Sequence, residues 1–259
     1  MEQLCKLYKT LGEDSLLMEF FSLIAEDSFN SDDHKGAIVT GFAVGKVSVG
    51  DKLFFYHPSK KILTAVVKTI LVGADEYRES ATNQPAALEF EGLRKGDISK
   101  FMVITNVPKI LLSAENSAYN NPELLGLLYG CQKFSKDSRF MTVLIYYLNR
   151  ATFLLDVQTE EEIKTSGVQE QDVRIKVNPV VNKDDSKAIA IYTDTATAQK
   201  GVPVLANPPK RNIMMVNLAR AAEFSKNNCD GVVINPNGPI PFFMENSFLK
   251  HLGIVPNKK

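Results

Sequence analysis

The sequence predicts two domains, an all-β barrel followed by an α+β domain with a mostly antiparallel sheet. Three observations carry this. Residues 1–107 hold short β-branched and aromatic runs parted by glycine and proline turns, with little helical periodicity. Residues 108–120 break that texture: Pro108 interrupts the strand pattern, and the stretch that follows is polar and small. Residues 121–259 then alternate strand-like runs with helix-start signals. Tight turns join most of those strands, which favours antiparallel pairing. Two domains of ordinary size fit a chain of 259 residues.

In the first part, residues 16–29 form an apolar run, and a polar loop over 30–36 leads to a strand at 37–40. Residues 46–49 end at the turn pair Gly50-Asp51, and 52–57 resume as a strand. The turn at 58–61 precedes an extended run to Leu71 that carries Val66, Val67 and Ile70. Ala86, Leu88 and Phe90 alternate with Ala87, Glu89 and Glu91, the period of a half-buried strand. Gly92 and Gly96-Asp97 close that segment, and 101–105 is the last strand. Seven short strands with turns between them predict a closed barrel, which removes exposed edges.

The second part opens at Asn121-Pro122-Glu123, a helix start. Asn121 can cap, Pro122 suits the first turn, and Glu123 meets the positive end of the helix dipole. Leu124, Leu125, Leu127, Leu128 and Cys131 follow as an apolar face. Residues 140–147 and 152–157 read as two strands joined at Asn149-Arg150 in a hairpin. Residues 173–181 and 187–193 flank a turn at 182–186. A strand is expected at 212–216, then a helix at 218–226 with Asn217 as its cap. Strands at 231–234 and 240–243 and a short helix at 246–252 complete the chain.

The 30 Lys+Arg balance 30 Asp+Glu, which argues against a polyanion binder held by bulk charge. The first 110 residues carry 13 Lys+Arg against 15 Asp+Glu, a net of −2, so the barrel is a poor non-specific RNA binder. The 44% hydrophobic content suits a packed core. No apolar run reaches the length of a spanning helix, and no signal-peptide pattern opens the chain. The expectation is a cytoplasmic protein without membrane contact. Cys5, Cys131 and Cys229 are isolated and odd in number, indicating neither a zinc site nor a disulfide scaffold.

Two resemblances follow from longer patterns. Residues 23–29, then Gly36-Ala37-Ile38-Val39-Thr40-Gly41, then Gly45-Lys46-Val47-Ser48-Val49-Gly50-Asp51-Lys52-Leu53 resemble the second domain of elongation factor Tu, the β-barrel of translational GTPases. Residues 86–93 with Gly96-Asp97-Ile98 look like the late strands of that barrel. Gly41 and Gly45 are expected at a tight strand-to-strand turn. The family usually shows a glycine-containing turn at the place of Thr82-Asn83-Gln84-Pro85, which is expected to be a rebuilt loop. The second half resembles the N-terminal domain of the SseB (enhanced serine sensitivity) family. The carriers are the 121–134 helix, Ala190-Ile191-Tyr192-Thr193-Asp194, and Gly231-Val232-Val233-Ile234-Asn235-Pro236-Asn237-Gly238. That resemblance implies no established catalytic activity.

Motifs for chemistry are weak. A phosphate cradle needs GxxxxGK[ST]. The nearest string, Gly41-Phe42-Ala43-Val44-Gly45-Lys46-Val47, is one residue short, and Val47 cannot hold Mg²⁺. Asn182-Lys183-Asp184-Asp185 spells a guanine-reading NKxD but reads as a polar turn without that cradle. His34, His57 and His251 have no metal-ligand spacing, and Glu160-Glu161-Glu162 and Asp32-Asp33 read as a helix start and a solvated loop. No catalytic residue, metal or cofactor is assigned, and no nucleotide is expected. The binding candidates are Tyr192, Asp194, Asn235 and Asn237, because two prolines and a glycine fix a loop directly after a buried strand. The expected function is a non-enzymatic binding or adaptor protein with a protein partner. The alternatives are ribosome or RNA association through the barrel, and a hydrolase that converges Cys131 or Cys229 with a distant histidine.

Overall fold

The fold is known from a computed structural model, which describes residues 20–31, 35–73, 76–110, 119–159, 175–181, 185–200, 211–226, 228–238 and 240–254. The chain divides into two compact units, Met1–Ser117 with Pro122–Leu144, and Ala118–Asn121 with Ile145–Lys259.

Among the described residues the first unit carries eight strands: β1 (Ser22–Ile24), β2 (Asp27–Asn30), β3 (Gly36–Ser48), β4 (Lys52–Tyr56), β5 (Leu63–Val72), β6 (Glu76–Arg78), β7 (Ser80–Glu91) and β8 (Val103–Thr105). Six of them close a ring in the order β1-β8-β4-β5-β7-β3 and back to β1, all antiparallel. β2 hangs on β3 and β6 on β5. The expected barrel is therefore present, with six strands in the wall where the sequence predicts seven short ones. Its closure depends on β1, whose Ser22 and Leu23 pair with Val44 and Ala43 on one side and Thr105 and Ile104 on the other. Alternation fills the interior: Leu53 and Phe55 from β4, and Ala86, Leu88 and Phe90 from β7, are buried. The Phe55 and Phe90 rings meet edge to face at 5.0 Å.

Two local expectations are corrected here. Gly41 and Gly45 make no strand-to-strand turn; both lie inside the thirteen-residue β3. A side chain at Gly41 would drive its Cβ into the Ile24 carbonyl oxygen. Gly45, at φ +77°, sits in a register shift between Ala43 and Lys46, and a Cβ there would collide with the Phe20 carbonyl oxygen. Glycine serves close backbone approach and a bulge, not chain reversal. Residues 82–85 are no rebuilt loop either; they run within β7 opposite β3. Asn83 takes φ +50° and its Oδ1 accepts the Gly45 N–H at 2.8 Å, so the bulge is bonded across both strands. Pro85 is tolerated because the β5 pairing of β7 ends at Ala87.

The same unit includes helix α1 (Pro122–Phe134), which packs on β1 and β8 through a stripe of small residues. A Cβ at Gly126 would come within 2.5 Å of Val103, and one at Gly130 within 3.0 Å of the Phe140 ring. Glu123, one turn before Gly126, is buried and ion-paired to Lys109. Phe101 holds a left-handed backbone at φ +64° while its ring meets those of Phe134 and Phe140, each at 5.6 Å.

Residues 138–150 form a second helix, α2 (Ser138–Arg150), and not the first arm of a hairpin. The β-branched Val143 and Ile145 suggest a strand, but the governing period is four. Phe140, Leu144 and Leu148 are all fully buried. Asp137 caps this helix by accepting the Arg139 N–H at 2.9 Å.

The second unit holds β9 (Thr152–Thr159), β10 (Ile175–Lys176), β11 (Val180–Val181), β12 (Lys187–Ile191), helix α3 (Thr195–Lys200), β13 (Arg211–Asn217), helix α4 (Leu218–Ser225), β14 (Gly231–Ile234), β15 (Phe242–Glu245) and helix α5 (Asn246–His251). One sheet runs β10-β9-β13 and the other β11-β12-β14-β15. A bridge between Leu154 and Tyr192, with both N–H···O bonds at 2.9 Å, links β9 to the residue after β12. Among the described residues every strand pair of this unit is antiparallel except β12 with β14, so the expected α+β domain with a mostly antiparallel sheet is present. Parallel pairing requires a crossover, and α4 lies within it. Asn217 caps α4 as expected, its Oδ1 accepting the Arg220 N–H at 2.8 Å.

Candidate functional site

The expected site residues meet at the carboxyl ends of the parallel pair β12 and β14. Ile191 stands opposite Ile234, so the segments leaving each strand run side by side. Asn235 turns left-handed, at φ +51°, a conformation that asparagine tolerates better than most residues. Its backbone N–H donates to the Ile191 carbonyl at 2.9 Å. Its side-chain Oδ1 accepts the Thr193 N–H at 3.0 Å, and its Nδ2 donates to Thr193 Oγ1 at 2.8 Å. The Thr193 hydroxyl then donates to Asp194 Oδ2 at 2.9 Å. Asp194 caps α3: Oδ1 accepts the Thr197 N–H at 2.7 Å and Oδ2 accepts the Thr197 hydroxyl at 2.8 Å.

Tyr192, Asp194 and Asn235 are thus brought together. Tyr192 and Asn235 are buried, and Asn235 and Asp194 spend their side chains on partners within the chain. Asn237 is exposed, in a turn closed by the Gly238 N–H donating to the Asn235 carbonyl at 2.9 Å. Pro236 and Gly238 occupy the second and fourth places of that turn, where those residue types are favoured. Thr193, fully buried, joins both arms of the network. Sequence reasoning misses it, because a lone threonine carries no signal until its partner, 42 positions away, is known.

A second feature belongs to the barrel unit. A groove of about 290 Å³ lies between α1 and strands β1 and β3. Ile24, Phe42, Val44, Tyr129 and Phe134 give it apolar walls. Gly126 and Gly130 lie in its lining. At its rim Lys133 pairs with Glu26 at 2.5 Å, and the Tyr129 ring stacks on Phe20 at 5.6 Å. Phe42 is 38% exposed. Two glycines four apart on an apolar helix are the signal for it in the sequence.

The other candidate chemistry separates into described and undescribed parts. The string Gly41–Val47 lies in β3, whose backbone pairs with β7, so it forms no phosphate loop. Asp32, Asp33, His34, Asn182–Asp184 and Glu160–Glu162 lie outside the described residues. Burial pushes the Cys131 thiol up to about 11, and burial followed by the Asp230 charge raises that of Cys229. Burial lowers His57, which shares a hydrogen bond with Ser59 Oγ at 2.9 Å. Among the described residues no three His, Cys, Asp or Glu side chains cluster as metal ligands, and no helix is long and apolar enough to cross a membrane.

No curated protein matches the chain in sequence. Among solved structures, the C-terminal domain of a Geobacillus thermoleovorans protein assigned to the U32 peptidases aligns at 17% identity and a TM-score of 0.26, over 33% of this chain and 89% of that one. The elongation factor SelB of Methanococcus maripaludis, apo form, aligns at 13% identity and a TM-score of 0.31, over 83% of this chain and 42% of that one. Residues 128–251, from within α1 to the end of α5, match the SseB protein N-terminal domain.

Proposed function

We propose that the chain is a non-enzymatic binding or adaptor protein whose two units act as interaction modules. The observation that carries this reading is the groove beside α1. Protein recognition sites concentrate aromatic side chains in a partly desolvated pocket with a polar rim. Phe42, Tyr129 and Phe134 with the Lys133–Glu26 pair supply that combination. The raised thiols support the same reading, because a protonated thiol is a weak nucleophile and the thiol-hydrolase alternative needs a thiolate.

A photo-crosslinking residue placed at Phe42 tests it. A discrete protein adduct, lost when Tyr129 is changed to Asp in the same chain, supports the reading. Crosslinking that is diffuse and insensitive to Tyr129 counts against it.

A second reading, ribosome or RNA contact through the barrel, is favoured by two aromatic rings that carry lysines. Lys95 Nζ lies 6.0 Å from the exposed Phe29 ring, and Lys52 Nζ lies 5.9 Å from Phe54. Salt-sensitive cosedimentation with ribosomes, lost with Phe29→Ala, would support it, and no cosedimentation at low salt would remove it.

A further inference from the structure

We infer that Asn237–Gly238 is a latent self-modification site held closed by the Thr193–Asn235 clamp. It is the one Asn-Gly pair in the sequence. Asparagine followed by glycine is the most labile arrangement for cyclisation, because glycine neither shields the attacking nitrogen nor restricts the backbone. The Asn237 side chain is exposed, so its amide is open to water.

The chemistry needs no cofactor. The Gly238 backbone nitrogen attacks Asn237 Cγ and gives up its proton to solvent. The Cγ–Nδ2 bond breaks, and ammonia leaves with a proton taken up from solvent. The five-membered imide then adds one water at either carbonyl, which yields aspartate or isoaspartate. The net change is gain of water and loss of ammonia, with no oxidation or reduction.

The fold withholds the nucleophile. The Gly238 N–H is the donor that closes the turn onto the Asn235 carbonyl, at 2.9 Å. That carbonyl is fixed because Asn235 is itself clamped, by its backbone to Ile191 and by both ends of its amide to Thr193. A Cβ at Gly238 would lie 2.9 Å from Asn235 Cβ, so the two residues pack with no slack. The nitrogen becomes available when the clamp opens. Conversion to isoaspartate adds a methylene to the main chain within that turn. The turn cannot then re-form with its original span, so the first opening that reacts becomes permanent. The product also adds a negative charge to the loop that follows β14.

The test follows Asn237 in the full-length protein by peptide mapping and isoaspartate assay during incubation in mildly alkaline buffer. The same chain unfolded in urea is the reference. Asn237 should convert at least about tenfold more slowly in the native protein than in the unfolded one, the factor expected when one hydrogen-bonded opening must precede reaction. Thr193→Val, and Asn235→Gly, which keeps the left-handed backbone but loses the amide, should each bring the rate toward the unfolded value while the circular dichroism stays native. Equal rates in the native and unfolded chains overturn the inference. So do folded variants that react no faster than the parent. If either variant fails to fold, the native-to-urea ratio and the other variant decide it.

Discussion

Thr193 and Asn235, 42 positions apart, exchange two hydrogen bonds inside a fully buried site, at 3.0 and 2.8 Å. The contact ties the segment after β12 to the one after β14, and through Asp194 it also sets the start of α3.

Breaking it should be costly. Asn235→Ala leaves the buried Thr193 N–H without its acceptor and forces alanine into a left-handed backbone, so it should destabilise the chain by about 2–4 kcal/mol. Asn235→Gly avoids the backbone strain and should lose about 1 kcal/mol less. Urea unfolding of both variants checks the order as well as the size.

Two glycines with positive φ should separate conformation from crowding. Gly50 has φ +90° and, among the described residues, nothing within 4 Å of the place a methyl group would take, so Gly50→Ala should cost about 1–2 kcal/mol. Gly45→Ala meets the Phe20 carbonyl as well, and should cost well over twice that or prevent folding of the barrel. Thermal melts of the two variants measure the difference.

The Lys109–Glu123 pair predicts a coupling. Glu123 is 2% exposed, and its Oε2 has no hydrogen-bond partner among the described residues. Lys109→Met strands that carboxylate and should cost about 2–3 kcal/mol, whereas adding Glu123→Gln to it should recover part of the loss. A double-mutant cycle in which the two costs simply add would refute this. Glu123 also adds to the burial that raises the Tyr56 phenol to about 12, so Tyr56 should titrate at lower pH in the Glu123→Gln variant.

Cys131 predicts a pH dependence. Burial raises its thiol from 9.0 to about 11, so the folded chain holds the proton more tightly than the unfolded one. The associated stability is complete below about pH 9 and is lost as pH rises toward 11. Cys131→Ala should flatten that decline relative to the parent. Alkylation of Cys131 in the native protein should be slow near neutral pH and accelerate across the same window.

Much of this was legible in local pattern. The alternation of Ala86, Leu88 and Phe90 marks a strand with one buried face, and all three are buried. Asn217 is legible as a cap because its acceptor needs a donor only three residues on. Misreading arises where two periods compete or where a residue serves a distant neighbour. Val143 and Ile145 mask the spacing of Phe140, Leu144 and Leu148. Gly41 and Gly45 look like turn residues because nothing local announces that Ile24 and Phe20 press against them.

The buried face of β7, the turn at Gly50-Asp51 and the Asn217 cap were determined by the sequence alone, since each depends on residues two to four apart along one segment. Tertiary structure decided the closure of the barrel through the three-residue β1, the packing of α1 on β1 and β8, and the meeting of Thr193 with Asn235. Those contacts join residues tens of positions apart. Their register is chosen by which buried surfaces and backbone bonds can be satisfied together, a condition that no short window of sequence contains.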